Sequence, residues 1–406
     1  MGRLSAIASR PLPKMMQNIA MPQINPDVLI WARETAGLSV EEAAKKLGLS
    51  GPERLMALEA GERAPSRRQL VNMSDKYRRP LLAFYLPKPP RERDRGQDFR
   101  SLPEAPPTGS EALLDTLLRD VQTRQQLVRA ALEEMEEDEF LPFVNSARMD
   151  VGVDALVTAM REVLGVSLED FRAQKTVTDA FALLRAGAEK AGVFVLLMGN
   201  LGTHHTDIDV RVFRGFALAD KIAPFVVVNE KDSRAAWSFT LLHELAHIWL
   251  GRTGISGYDS DADIEKLCDS VAARFLLSAT ELEQIGVRSA TTLDDLQQRI
   301  ETFASARNLS RKMVAYNLLR SNAISSAIYK NLCDAFDAER TLEEKYREKE
   351  GGPDYYIVRR HRVGPGLIDF VRRMVAVGVL SSIKAGKVLG VKPTAVQRLV
   401  GNIRAA

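Results

Sequence analysis

The chain has 406 residues, 45% of them hydrophobic and 27% charged, with a formal net charge of +3. This is soluble-protein composition with core material for two to four structural units, and no run approaches the roughly 18 apolar residues of a membrane span, so no membrane partner is expected. Charge is uneven: 18 basic against 11 acidic residues up to residue 100, 10 against 2 from residue 351 on, and 28 against 40 between, which points to polyanion binding at the ends and different work at the centre.

The first 26 residues hold Arg3, Arg10 and Lys14 and one acid-free stretch up to Asp27. Pro11 and Pro13 interrupt any targeting helix, so residues 1–24 are expected to be a flexible N-terminus. Only Cys268 and Cys333 occur, far apart and inside helical patterns, which excludes a disulfide framework and fits a reducing cytoplasm.

Residues 25–87 predict five short helices. Gly37, Gly48 and Gly61 end successive segments, Ser39 with Glu42 forms a capping box, and Ser66 opens a fourth helix. Leu38, Ala44, Leu47, Leu49, Leu55 and Leu58 supply a small core, and the tight glycine turn makes a helix-turn-helix pattern. Residues 88–150 begin as a Pro-rich, charged linker and continue as a long helix from about 110 to 139. Helical patterns cover 150–190, then the period changes: 193–197, 216–218 and 224–229 are short β-rich runs. Helices return over 237–250, 261–277 and 291–320, and 326–406 reads as a helical, basic C-terminal region. No internal repeat is evident.

The strongest signal is His243-Glu244-Leu245-Ala246-His247. Residues i and i+4 share a helix face, so two imidazoles can grip one ion while Glu244 leans towards its water. Chance produces this pattern in about one such chain in two hundred. Zinc needs a third protein ligand and an open position for water. A second helix, 261–277, buries Ile264, Leu267, Cys268, Val271 and Phe275 and carries Glu265 and Asp269 one turn apart on an adjoining face. One of these carboxylates can bind the metal while the other orients an imidazole. Water acidified by the ion, with Glu244 as base, could attack an amide carbonyl. His204 and His205 lie in a Gly/Thr/Asp loop that reads first as a solvated turn; facing a cleft, either could donate to an oxyanion, as could Tyr258. Arg234 reads as an ion-pair partner, Cys268 as core and His361 as part of a solvated basic face.

The segments Val226-Val227-Val228-Asn229, Phe239 to His247 and Ile264 to Leu277 resemble the ImmA/IrrE family of metallo-endopeptidases. The resemblance implies one zinc ion per chain held by His243, His247 and Glu265, with Glu244 as general base and Asp269 supporting a ligand. Ser278 stands where many members have proline. Residues 25–87 resemble the XRE (Cro/repressor-type) helix-turn-helix family through Arg33-Glu34, Gly37-Leu38-Ser39, Ala43-Ala44, Leu47 to Ser50, Glu59-Ala60-Gly61 and Pro65. Arg54, Arg63, Arg67 and Arg68 are the candidate DNA-contacting residues; Glu53, at the start of the third helix, in the recognition-helix position, departs from the pattern and leaves open a module used for dimerisation or for gripping a repressor. The fold implied is α+β and predominantly helical: a helix-turn-helix bundle over 25–87 and a zincin-like peptidase over 151–325 with a small sheet and the His-Glu helix. The function implied is limited proteolysis of a helix-turn-helix repressor or antitoxin by a DNA-bound cytoplasmic regulator. A non-enzymatic regulator with the peptidase fold as sensor is the alternative, and a homodimer is left open. The basic residues Arg359, Arg360, Arg362, Arg372, Arg373, Lys384, Lys387, Lys392 and Arg398 accompany a second helix-turn-helix-like rhythm, 381–389 then 393–400, which a solvated basic face explains equally well.

Overall fold

A computed structural model describes residues 24–90, 110–203, 206–255, 262–287, 292–347 and 354–401. The chain forms two compact units that divide after Arg93. In the first, four helices, α1 (Pro26–Glu34), α2 (Val40–Leu47), α3 (Pro52–Glu59) and α4 (Arg67–Lys76), are followed by a 3-10 turn, Leu81–Tyr85, where sequence suggests a fifth helix. Ser39 and Ser66 close capping boxes with Glu42 and Gln69. Gly48 takes φ 67° after α2, a left-handed turn natural for glycine. Leu29, Leu47, Leu55, Leu58, Leu70 and Phe84 fill the core. Arg33 is buried with Glu59, donating from Nε at 2.8 Å and from the second terminal nitrogen at 3.1 Å, and also reaches the Leu38 carbonyl at 3.1 Å. Arg33 and Glu59 thus tie α1 to α3 from inside.

The second unit starts with α5 (Ser110–Glu134), α6 (Val153–Leu164), α7 (Leu168–Arg172) and α8 (Val177–Lys190), then β1 (Phe194–Leu197), β2 (Gly215–Leu218) and β3 (Phe225–Val228). Next come α9 (Arg234–Trp249), β4 (Gly254–Ile255), α10 (Ala262–Leu276), α11 (Ala279–Glu283), α12 (Leu293–Ser305), α13 (Arg311–Arg320) and α14 (Ser326–Arg347). The last helices are α15 (Tyr355–Val363), α16 (Pro365–Ala376), α17 (Ser382–Leu389) and α18 (Val396–Val400), the last preceded by a 3-10 turn, Pro393–Ala395. Helix α5 ends five residues before the expected Glu139: Glu136 has φ 57°, and an acidic run is unfavourable at the negative end of a helix dipole.

The sheet order is β1-β3-β2-β4, with β1 parallel to β3 and the other pairs antiparallel. Alternation of side chains sends Val195, Leu197, Ala217, Val226 and Val228 into one core with α6, α8, α9 and α10. Leu196, Phe216, Leu218, Phe225 and Val227 enter a second core with α5 and α15–α18. Burial on both faces explains why these strands read as unbroken apolar runs. The long helix α5 and the C-terminal helices are therefore the cover of the sheet's second face.

Candidate metal centre

Helix α9 lies on the sheet and is buried from Trp237 to Trp249 except at Phe239. Its end is held from outside: Asn145 N–H donates to the Ile248 carbonyl and Ala147 N–H to that of Trp249. Gly251 has φ 66°, and a Cβ there would lie 2.4 Å from Asn145 Oδ1, so both backbone and space require glycine at the expected helix stop. Arg234 is the exposed first residue of α9 and makes no ion pair among the described residues, which corrects the expectation of a structural pair.

The 3.6-residue period stacks His243 above His247, rings 4.9 Å apart. Helix α10 packs across α9 and brings Glu265 to both. His247 Nε2 lies 3.1 Å from His243 Nε2; Glu265 Oε1 lies 3.1 Å from His247 Nε2 and Oε2 lies 3.3 Å from His243 Nε2. These are the three described side chains that could jointly hold an ion. Donors bound tetrahedrally at about 2.0–2.1 Å stand about 3.3 Å apart, so the triangle has the dimensions of one face of such a coordination shell. Asp269 Oδ1 is 2.9 Å from His243 Nδ1. A proton on Nδ1 donated to Asp269 leaves the Nε2 lone pair directed into the triangle.

The histidines and carboxylates at this point set one another's protonation. Burial opposes charge on His243, but hydrogen bonds to Asp269 and Glu265 and the charge of Glu244 outweigh it and lift the imidazole to about 10. Burial likewise opposes the Glu265 anion, yet the two histidines hold its carboxyl down at about 2. Glu244 has no exposed surface. Strand β2 crosses directly over it: a Cβ built on Gly215 would fall 2.7 Å from Glu244 Oε1 and 2.6 Å from Thr240 Cγ2. Gly215 therefore makes the space in which Glu244 sits. Asn229 fixes the loop leading into Gly215, donating to the carbonyls of Ile208 at 3.1 Å and Phe213 at 3.0 Å and receiving Lys231 N–H at 3.0 Å. Neither role was identified from sequence; the small residue opening a strand was the available signal for Gly215, and Asn229 stood in the motif without a stated task.

Cys268 is fully buried and its thiol is pushed well up by that burial, as a core residue. Ser278 caps α11 in a box with Glu281, which replaces proline as the helix break after α10. Tyr258, His204 and His205 lie outside the described residues. In the first unit Arg54, Arg63, Arg67 and Arg68 are all exposed. Pro52 opens α3 and Glu53 is exposed beside it. Among the described residues of the chain no helix is long and apolar enough to cross a membrane.

Residues 188–319 match the family model of a peptidase domain described as the IrrE N-terminal-like domain, and residues 29–84 match a helix-turn-helix family model. The matched segments contain His243, His247 and Glu265, the group that could hold an ion, and α1–α4 respectively. No curated protein and no solved structure matches the chain. The chain thus joins a helix-turn-helix, DNA-binding type of domain to a peptidase-family domain, the composition of a DNA-binding regulator.

Proposed function

We propose that this chain is a cytoplasmic regulator that binds operator DNA through residues 25–87 and cleaves a protein partner at a metal centre, releasing genes that the partner holds down. The observation that carries the proposal is the donor triangle of His243, His247 and Glu265 beside a fully buried Glu244. Two imidazoles and one carboxylate are the donor set of catalytic zinc, with a fourth position left for water. When bound, such an ion acidifies water and polarises a carbonyl. Glu244 accepts the proton of the attacking water and returns it to the leaving amine nitrogen as the C–N bond breaks. Asp269 holds the His243 tautomer. Tyr258, His204 or His205 is the proposed donor to the oxyanion. The substrate class is a helix-turn-helix repressor or antitoxin, as resemblance implies.

The test begins with metal content. Wild type is expected to carry about one zinc per chain, and His247→Ala and Glu265→Ala to lose it. Wild type that stays metal-free when zinc is offered refutes the centre. Glu244→Gln is then expected to keep zinc and DNA binding while the regulatory response and any new N-termini in the cell disappear. A response that survives this substitution assigns the unit to sensing rather than hydrolysis.

A further inference from the structure

The first helix and turn of the first unit's helix-turn-helix occur again at the end of the second, where the following segment is the 3-10 turn Pro393–Ala395 running into five-residue α18 rather than an eight-residue helix like α3. Helices α2 and α17 are both eight residues long, capped at the start by Ser39 and Ser381. Both end in a left-handed glycine, Gly48 at φ 67° and Gly390 at φ 63°. The hydrogen bonds of the two turns coincide: Leu49 N–H donates to Ala44 O at 3.0 Å and Val391 N–H to Gly386 O at 2.8 Å. Gly48 and Gly390 each donate to the carbonyl three residues back at 3.1 Å. At one constant offset Ala43, Lys45 and Leu47 correspond to Ala385, Lys387 and Leu389. The second helix-turn-helix-like rhythm of the sequence is thus a local repeat of α2 and its turn. A Cβ on Gly386 would meet the Val391 carbonyl at 2.8 Å, so the small residue lets the second segment close onto α17. Helices α16, α17 and α18 then share a core of Leu367, Phe370, Met374, Leu389, Val396 and Leu399.

The turn geometry alone is not a binding signal. Gly165 makes the same kind of turn between α6 and α7, but Glu162, Glu169 and Asp170 are exposed there. Charge separates the two cases. From residue 370 to the end the sequence has seven Lys/Arg and no Asp/Glu. The structure sorts the C-terminal cations. Arg359 caps α17 by donating to Leu389 O and Gly390 O, Arg360 donates to Arg398 O, and Arg362 pairs with Glu230. Arg372 pairs with Asp369, Arg373 with Glu137, and Arg398 lies over the Tyr356 ring. Lys384, Lys387 and Lys392 remain, exposed on α17 and its turn, with no carboxylate partner among the described residues. The second segment presents exposed Thr394 and Gln397 and no acid, unlike α3 with its Glu53.

We infer that residues 381–401 are a second double-stranded-DNA contact, in which Lys384, Lys387 and Lys392 hold phosphates while Thr394 and Gln397 face base edges. A first helix across the backbone and a second towards the major groove is how such pairs dock. Single-stranded nucleic acid is bound on exposed aromatic platforms, and no aromatic residue follows Phe370. The inference is independent of the metal centre and of the first unit.

The full chain carrying Arg54→Ala, Arg63→Ala, Arg67→Ala and Arg68→Ala provides the background, so that binding by residues 25–87 is suppressed. Affinity for a labelled duplex of about 20 base pairs is followed by anisotropy between about 50 and 200 mM salt. Adding Lys384→Gln, Lys387→Gln and Lys392→Gln is expected to flatten the slope of log affinity against log salt by about 2–3, at roughly 0.9 per phosphate contact, and to weaken low-salt binding at least about tenfold. Arginine at the same three positions is expected to restore both, which a merely structural role for lysine would not require. Unchanged zinc content and melting temperature confirm the fold of each variant. An unchanged slope, no duplex binding by the background protein, or stronger competition by single-stranded RNA or polyglutamate overturns the inference. The three lysine substitutions in an otherwise wild-type chain leave the first unit's contribution in place, so failure of either DNA contact is seen separately.

Discussion

The Asp269 carboxylate offers the sharpest test of how the metal centre is supported. Its Oδ1 receives the His243 Nδ1–H at 2.9 Å, and through that bond it fixes both tautomer and ring orientation. Partners of ligating histidines are typically worth about 10–100-fold in metal affinity, or about 1.4–2.8 kcal/mol. The Asp269 side chain is 36% exposed, so water can occupy the vacated position and the loss belongs at the lower end. Asp269→Ala is therefore expected to weaken zinc binding about tenfold, about 1.4 kcal/mol. Asp269→Asn keeps an acceptor oxygen but not the charge; since charge-assisted hydrogen bonds are roughly twice as strong as neutral ones, it should lose about half that free energy, roughly threefold. The assay is competition against a chromophoric chelator, with His247→Ala as the variant lacking a ligand. Affinity of Asp269→Ala equal to wild type, or an Asn variant as weak as the Ala variant, refutes the assigned role.

Other consequences can be checked with the same preparations. Gly215→Val drives a side chain against Glu244 and Thr240; it should cost about 1–3 kcal/mol in stability, the usual scale of overpacking, and abolish hydrolysis with zinc still bound, whereas full activity would show that β2 does not shape the pocket. With its pKa lifted to about 10, His243 is protonated at neutral pH in the metal-free protein, and zinc must displace that proton. Calorimetry in buffers of different ionisation enthalpy should accordingly report about one proton released per ion at pH 7, declining as pH rises through the imidazole's range; no release at pH 7 contradicts the electrostatic account. Arg185 is buried with Glu189 and donates to the carbonyls of Val195, His361 and Arg362. Arg185→Met strands that carboxylate and should cost about 3–5 kcal/mol, a fall in melting temperature on the order of 10 °C; a shift within 2 °C or so would mean the network is dispensable.

What could be read from sequence was local, and what escaped it was tertiary. Helix α9 followed from the spacing of His243 and His247 and from Gly251, whereas Glu265 reaches both histidines only because α10 packs across α9. The β-runs were visible as composition, although β4 is too short to leave a pattern. Nothing local says that Gly215 must be bare of a side chain, because the atoms it would strike belong to a helix more than twenty residues downstream. The Arg33–Glu59 bond escaped for the same reason: two charged residues that look solvated on their own helices are buried against each other. In the C-terminal region the count of arginines suggested a basic surface, while the structure uses most of them to cap carbonyls and pair with acids, and leaves three lysines outward.

Sheet alternation also decides how the parts of the second unit relate. Helix α9 packs on the face shared by Val226 and Val228, and α15–α18 pack on the face shared by Phe225 and Val227. The two faces are joined by part-buried polar contacts: Arg185 on α8 grips the backbone of α15, and Arg362 on α15 pairs at 2.5 Å with Glu230, four residues before α9 begins. Coupling between distant sites needs an element with two discrete arrangements, and the structure describes one. If the C-terminal helices hold DNA, their contribution requires no change in the triangle of His243, His247 and Glu265. They hold a preformed site near whatever is bound to the same DNA. For a weakly recognised substrate, that gain in effective concentration can supply orders of magnitude without any change in the catalytic geometry.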